Sequence, residues 1–212
     1  MEYVHLSKLQ KDVLREVGNI GAGNAATSLS KLINEQIHMK VPSVNIVTFD
    51  EMMELIGGPE QVIVALLFQI YGDVPGTVYF ILSVEEAESL IRKMIQDENF
   101  SLTEENGNND LAFSALKEIG NIVTGSYLTA LSDFTNIHMQ PSVPYLNIDM
   151  AGALLTYGLL EISQVSDYAL IIDTQIISND SGDGITGNFF LLPKPESLSA
   201  IFQALGINGY EE

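Results

Sequence analysis

The chain has 212 residues, of which 46% are hydrophobic and 17% charged, so it has the composition of a folded globular protein. It contains no cysteine, which excludes disulfides, thiol catalysis and cysteine-ligated zinc sites. A formal net charge of −19 argues strongly against nucleic-acid binding, and it fits either a partner with a basic face or simply a soluble surface.

The longest apolar run, Val62–Phe68, is too short to cross a bilayer. The N-terminal segment Met1–Lys11 mixes charged and apolar residues and has no continuous apolar signal core. We therefore expect a cytoplasmic protein with no membrane insertion.

In chain order, the first predicted element is a long helix that Ser7 can cap and that runs to about Ile33. At about 100° per residue, four positions share an arc of roughly 60°: Asp12, Glu16, Asn19 and Gly23. The apolar positions lie together on the other side, toward the presumed core: Leu6, Val13, Leu14, Val17 and Ile20.

After a strand and a short helical piece, the rest of the first half is predicted as a strand pair and a closing helix. Val62–Tyr71 and Gly76–Leu82 are rich in branched and aromatic residues, which favours strands, and Glu85–Gln96 has a helical pattern. The acidic, Asn- and Gly-rich stretch Asp97–Asp110 is predicted to be a surface linker.

The second half repeats the first at an offset of 102 residues. Leu14–Ile20 aligns with Leu116–Ile122, and the register still holds at Val41–Pro42 against Val143–Pro144. A second long helix, capped by Asp110 or a neighbour, therefore carries an equivalent arc: Ser114, Glu118, Asn121 and Gly125. Its inward positions are Leu116, Ile119 and Ile122.

The second half ends as the first does, with two strands and a helix, at Tyr168–Ile177, Gly187–Leu192 and Ser197–Leu205. The intervening Asn179–Gly184 lacks the spacing of a calcium loop, so we expect a hairpin tip. We expect one α+β domain over residues 1–212, made of two αββ-type repeats (about 1–102 and 103–212). A pseudo-twofold axis relates the repeats, and their long helices pack on a β-sheet.

The repeated Glu and Asn are the candidate functional residues. An exposed Glu or Asn is usually only solvated, but the bordering charges differ between the copies while these two residues stay. Asn is also a mediocre helix former, so its retention in mid-helix indicates that the amide is needed. Gly23 and Gly125 share this face and would let another backbone approach closely, whereas packing inside the protein is an equally good explanation for Gly18 and Gly120.

Several other sites are excluded. Gly21–Ala26 fits the dinucleotide fingerprint G-x-G-x-x-A, but a helix precedes it where that motif needs a strand. No Walker A pattern occurs, and the three histidines form no cluster or triad. A Glu and an Asn on a convex helix are a poor active site alone, but they could complete a partner's site, since an amide can orient a water and a carboxylate can pair with a lysine.

The pattern Asp/Ser-x-x-x-Glu-x-x-Asn followed by a distant Pro resembles the CheC-type chemotaxis phosphatases. It occurs twice: Asp12, Glu16, Asn19 and Pro42, then Ser114, Glu118, Asn121 and Pro144. The resemblance implies hydrolysis of the aspartyl phosphate of a CheY-type response regulator. Asn19 and Asn121 would orient the attacking water, and Glu16 and Glu118 would contact the regulator's lysine. It also implies that Mg²⁺ comes from the regulator, so that this chain has no metal or cofactor site of its own, and that Asp12, Ser114 and the two prolines shape the site.

Within this family, two motifs in a chain of 212 residues favour the CheC branch. The CheX-like branch would have one motif in an obligate dimer, and the FliY-like branch would have a further domain. The resemblance also implies a CheD-type receptor deamidase as partner. Its docking surface could include the apolar segment Met150–Ile162, although a core helix is the better interpretation. Two alternatives to a phosphatase stay open, a non-catalytic adaptor for the deamidase or the phosphorylated regulator and a structural part of the flagellar switch. We expect a monomer, because the internal repeat supplies within one chain the twofold symmetry that a homodimer would otherwise supply.

Overall fold

The computed structural model describes residues 6–102, 109–155, 168–178 and 184–207. Five helices have defined bounds: α1 (Lys8–Ile33), α2 (Phe49–Leu55), α3 (Val84–Ile95), α4 (Asn109–Thr135) and α5 (Pro195–Ala204). Residues 151–155 are also helical. The strands are β1 (Ile37–Lys40), β2 (Val44–Thr48), β3 (Val62–Gly72), β4 (Gly76–Ser83), β5 (Met139–Pro141), β6 (Tyr145–Met150), β7 (Tyr168–Ser178) and β8 (Gly184–Pro193).

The two long helices end in the same way. Ser7 caps α1 through a capping box with Gln10, as predicted. Asn34 and Asn136, which are equivalent positions of the repeat, both adopt positive φ, 58° and 54°, and so end α1 and α4 in left-handed turns. For α4 we expected a cap at Asp110 or a neighbour. That helix begins at Asn109, so Asp110 lies within its first turn and does not cap it, and the preceding residue lies outside the described residues.

The sheet joins the two halves by exchanging strands. Its order is β1-β7-β8-β4-β3-β5, with β2 also paired to β7 and β6 also paired to β3. Each half forms its own antiparallel hairpin, β3–β4 or β7–β8, and sends its first two strands to the hairpin of the other half. The arrangement is symmetric about the β4–β8 pair, which confirms the predicted α+β class with pseudo-twofold symmetry.

Both faces of the central strands are covered. On β3, alternate residues Val64, Leu66 and Phe68 join the larger core, together with residues from α1, α3, α4 and α5. Ile63 and Ala65 point the other way, into a smaller core that includes residues of α2 and of the helical stretch 151–155. Burial on both faces explains why the sequences of these strands are nearly continuous runs of apolar residues.

The stretch predicted as a surface linker is anchored at its start. Phe100 is buried, and its carbonyl accepts a hydrogen bond from Arg92 Nε at 2.7 Å. The Glu88 carboxylate accepts from the hydroxyl of Ser101 at 2.8 Å and the N–H of Leu102 at 2.7 Å. The linker prediction was therefore wrong for residues 100–102, because Arg92 and Glu88 of α3 hold them against the fold. Residues 103–108 lie outside the described part.

The segment proposed for deamidase docking divides into two environments. Met150 is 51% exposed at the end of β6. Ala151 and Leu155 are buried in the smaller core, and Leu154 packs against it. Residues 156–162 lie outside the described ranges, and so do residues 179–183 of the predicted hairpin tip, which connect the paired strands β7 and β8.

Helices α1 and α4 meet at Tyr127. Its ring is buried and stands edge-on to Phe189, with ring centroids 4.9 Å apart, and its hydroxyl shares a hydrogen bond with Thr174 Oγ1 at 2.9 Å. Burial raises the pKa of Tyr127 to about 12, against a smaller lowering by the Thr174 hydrogen bond. The phenol is thus kept neutral in the folded protein at pH values where it would ionise in the unfolded chain.

This pKa shift predicts a loss of stability at high pH. Between pH 10 and about 12 the unfolded chain releases the Tyr127 proton while the folded protein retains it, so the free energy of unfolding falls with rising pH. The slope is about 1.4 kcal/mol per pH unit. Urea unfolding from pH 8 to 11.5 measures it. Tyr127→Phe should be less stable by about 1 kcal/mol at pH 8, because a hydrogen bond is lost, but should show a shallower decline. Parallel curves for the two proteins would contradict the assignment.

Candidate functional site

The repeated Glu–Asn pair lies on the outer surface of both long helices. Glu16 and Glu118 are exposed; Asn121 is exposed and Asn19 is partly buried. Within each pair the residues are three positions apart, so their side chains are neighbours on one helix face. Neither glutamate forms an ion pair or hydrogen bond with another described residue. Both carboxylates are therefore available to a partner.

The side of α1 that faces the core is centred differently from the prediction. Leu14 and Val17 are buried as expected, but Ile20 is 37% exposed. Small residues occupy the buried face instead: Gly18, Gly21, Ala22, Ala25 and Ala26. At Gly21 the reason is the close approach of α4, and at Gly18 it is the close approach of Val41.

The motif glycines fall into two groups. A Cβ on Gly18 would lie 3.3 Å from Val41 Cγ2, and one on Gly120 would lie 2.7 Å from Leu66 Cδ2, so these two glycines are needed for internal packing. Gly23 and Gly125 have no atom within 4 Å of the equivalent position. Internal packing therefore does not account for Gly23 and Gly125, which lie on the same face as the Glu–Asn pair.

The first motif residues turn toward their own helices. Asp12 pairs with Arg15 at 2.9 Å, and the Ser114 hydroxyl donates to the Asp110 carbonyl at 2.8 Å. Neither side chain has a hydrogen bond to the Glu or Asn of its motif. This geometry fits residues that shape the helix surface and do not act in the chemistry.

The two asparagines have different surroundings. Asn19 Oδ1 accepts a hydrogen bond from the Val41 N–H at 2.8 Å, which links α1 to the residue before Pro42. The equivalent Asn121 has no hydrogen-bond partner among the described residues. Val41 is 2% exposed, whereas its counterpart Val143 is 86% exposed. The sequence prediction missed the Val41 N–H, and the Asn-to-Pro distance does not reveal it, because the second half keeps that distance without the hydrogen bond.

The motif residues line neither of two cavities bounded by described residues. These cavities have volumes of about 460 and 360 Å³, and none of Glu16, Asn19, Glu118 and Asn121 lines them. In the described ranges no three His, Asp or Glu side chains are grouped to hold a metal ion. No helix in the same ranges is long and apolar enough to cross a membrane.

Sequence comparison with known proteins detects one family in both halves of the repeat. A sequence profile of the CheC-like family matches residues 9–46 and 111–148, two segments separated by the same 102-residue offset. The chain is 40% identical over 197 residues to the CheY-P phosphatase CheC of Bacillus subtilis (strain 168), covering 93% of this chain and 94% of that protein. It is 24% identical over 143 residues to the flagellar motor switch phosphatase FliY of the same organism, covering 68% and 36%.

The fold also resembles that of a solved structure. The crystal structure of Thermotoga maritima FliY superposes with a TM-score of 0.73 at 20% identity and covers 96% of this chain and 99% of that one. At that identity the likeness concerns the fold alone. The sequence match to the Bacillus protein extends over nearly the whole of both chains, and the family profile recurs in both halves. The chain therefore belongs to the CheC-like family.

Proposed function

We propose that the protein is a phosphatase that hydrolyses the aspartyl phosphate of a CheY-type response regulator. The observation that carries this proposal is the Glu–Asn pair, repeated on two exposed helix faces with both carboxylates unpaired among the described residues. The name of the Bacillus relative, CheY-P phosphatase, supports the same substrate. The test is phosphate release from the phosphorylated cognate regulator, with variants at both asparagines.

In this proposal each helix face inserts its pair into the regulator. Glu16 or Glu118 binds the regulator's lysine and fixes the register of docking, since a carboxylate and an ammonium form a charge-assisted hydrogen bond. Asn19 or Asn121 holds a water in line with the phosphorus through its carboxamide, which can both donate and accept. Phosphoryl transfer depends mostly on positioning and electrostatics, so two side chains are a sufficient contribution.

The regulator is proposed to bring the Mg²⁺ ion that neutralises phosphoryl charge. Chelation should then stop the reaction, while calorimetry on this chain alone should detect no Mg²⁺ binding.

We also propose a CheD-type deamidase as a second partner, on the support of family membership. Co-migration of the two purified proteins in size-exclusion chromatography tests that proposal, and the free chain should elute at the mass of one copy, 23.2 kDa.

The open glycines provide a test of docking at these faces. Replacing Gly23 and Gly125 together by alanine should stabilise the protein, because each change gains about 1 kcal/mol of helix propensity and meets no neighbouring atom. The melting temperature should rise by roughly 4 to 8 °C. If the regulator backbone approaches here, KM for the phosphorylated regulator should increase several-fold. Ser28→Ala, on the exposed surface of α1, is the control. An unchanged KM would mean that the partner does not contact these glycines.

A further inference from the structure

We propose that the Val41–Pro42 segment is a positioning element for Asn19. The amide of Asn19 is therefore held in one orientation before a partner binds, whereas the amide of Asn121 is not. The inference deepens the proposed phosphatase function and rests on it for its kinetic consequences. Its structural basis is the hydrogen bond from the Val41 N–H to Asn19 Oδ1 at 2.8 Å. That bond joins the middle of α1 to the residue directly after β1, 22 residues further along the chain.

Packing holds the donor in place. Val41 is buried, and its Cγ2 lies where a Cβ on Gly18 would be only 3.3 Å away. Gly18 is the residue before Asn19, so the missing side chain lets Val41 approach the helix next to the amide that it binds. Gly18 thus makes room for Val41, and Asn19 accepts the hydrogen bond from its N–H.

The proline restricts the donor further. A residue that precedes proline is confined to extended conformations, because the proline ring clashes with a helical one. Val41 therefore keeps a limited range of backbone angles, and its N–H keeps a limited range of directions. This gives Pro42, although it is exposed, a structural part in the first half.

The second half lacks this arrangement. The Ser142 hydroxyl donates to the Val143 carbonyl at 2.8 Å and accepts from the Gln69 N–H at 3.0 Å, which holds the turn before Pro144 against β3. The position equivalent to Ser142 is Lys40, which has no hydroxyl. Gly120 is correspondingly packed by Leu66 and Phe68, and Val143 is exposed.

The consequence is a difference in preorganisation. A carbonyl oxygen has two lone pairs, so Asn19 Oδ1 can accept from Val41 and still accept from a water, while neither N–H of the amide has a partner among the described residues. Asn19 thus has its amide plane fixed before the partner arrives, whereas Asn121 must be ordered on binding. Ordering one side chain lowers affinity by roughly two- to tenfold. We expect the first site to have the lower KM by about that factor.

Amide hydrogen exchange of the free protein tests the positioning without any partner. The Val41 amide should exchange slowly in the wild type and at least about tenfold faster in Asn19→Ala. Asn19→Asp should preserve the protection, because a carboxylate oxygen accepts the same N–H. The Val143 amide should be unaffected by Asn121→Ala. Equal Val41 exchange in the wild type and Asn19→Ala would overturn the inference, even if the phosphatase proposal held.

Kinetics of single-site proteins test the consequence for the reaction. With Asn121→Ala present, Pro42→Ala should raise KM at the first site by roughly two- to tenfold, with a smaller change in kcat. With Asn19→Ala present, Pro144→Ala should have a smaller effect on KM at the second site. Circular dichroism melting of each variant controls for folding. Equal effects of the two prolines, or a lower KM after Pro42→Ala, would overturn the inference. If the wild type shows no phosphatase activity, the proposed function fails and hydrogen exchange alone decides the positioning.

Discussion

Replacing both Asn19 and Asn121 by alanine is expected to reduce the acceleration of regulator dephosphorylation by at least about a hundredfold, close to the regulator's own rate. The magnitude follows from the role proposed for the amide, because loss of one well-placed hydrogen-bonding group in an active site costs about 10²–10³ in rate. Truncation opens no core cavity, but Asn19→Ala leaves the buried Val41 N–H without its acceptor, so the double variant should stay folded and melt below the wild type.

The assay should separate chemistry from docking. Phosphate release from the phosphorylated regulator gives the rate, and binding to a regulator carrying a stable phosphoryl mimic gives the affinity. The double variant should bind while failing to hydrolyse, since Glu16 and Glu118 remain. Asn24→Ala, which removes another exposed asparagine of α1, is the matched control and should keep full activity. Unchanged hydrolysis by the double variant would eliminate the mechanism.

Single variants divide the activity between the faces. Asn19→Ala and Asn121→Ala should each retain part of the rate, because each leaves one complete Glu–Asn pair. The unequal surroundings of the two asparagines predict that the remaining activities differ in KM. Complete loss after one single change would show that only one face is competent. Binding of the phosphorylated regulator by the wild type without faster phosphate release would instead favour the adaptor interpretation.

Local features of the sequence predicted the elements well. The 102-residue register placed both long helices and strand composition placed both hairpins, since apolar periodicity and strand composition depend on neighbouring residues. Asn34 and Asn136, which are equivalent positions of the repeat, are the left-handed residues that end α1 and α4. Identity at these two positions therefore reflects a shared backbone requirement.

Long-range contacts were not predictable in the same way. Nothing local indicates that β1 and β2 pair with β7 of the other half, because pairing partners are set by the closure of the whole sheet. The inward side of α1 was misjudged for a related reason. Apolar residues such as Ile20 were assigned to the core, yet the closest contact is made by glycine and alanine, which a hydrophobic pattern does not emphasise. The roles of the four motif side chains stay predictions until the variants are measured.

The contact between α1 and α4 predicts the largest effect on stability, at Gly21. A Cβ there would lie 2.6 Å from Tyr127 Cδ1, 3.0 Å from its Cα and 3.2 Å from the Ser126 carbonyl oxygen. Two of these atoms belong to the backbone of α4, and the Tyr127 ring is held by Thr174 and Phe189. The helices would have to separate, because no flexible side chain can move aside.

Gly21→Ala should therefore destabilise the protein by about 2 kcal/mol or more, since overpacking outweighs the gain of about 1 kcal/mol in helix propensity. Thermal melting should fall by roughly 4 to 8 °C. Gly23→Ala, two residues along the same helix, gains the propensity without a clash and should melt higher than the wild type. Gly21→Val, which introduces the residue found at the equivalent Val123, should be worse than alanine. A stabilised Gly21→Ala would mean that α1 and α4 can separate at little cost, and the close helix contact would then not be what fixes the two motif faces in the fold.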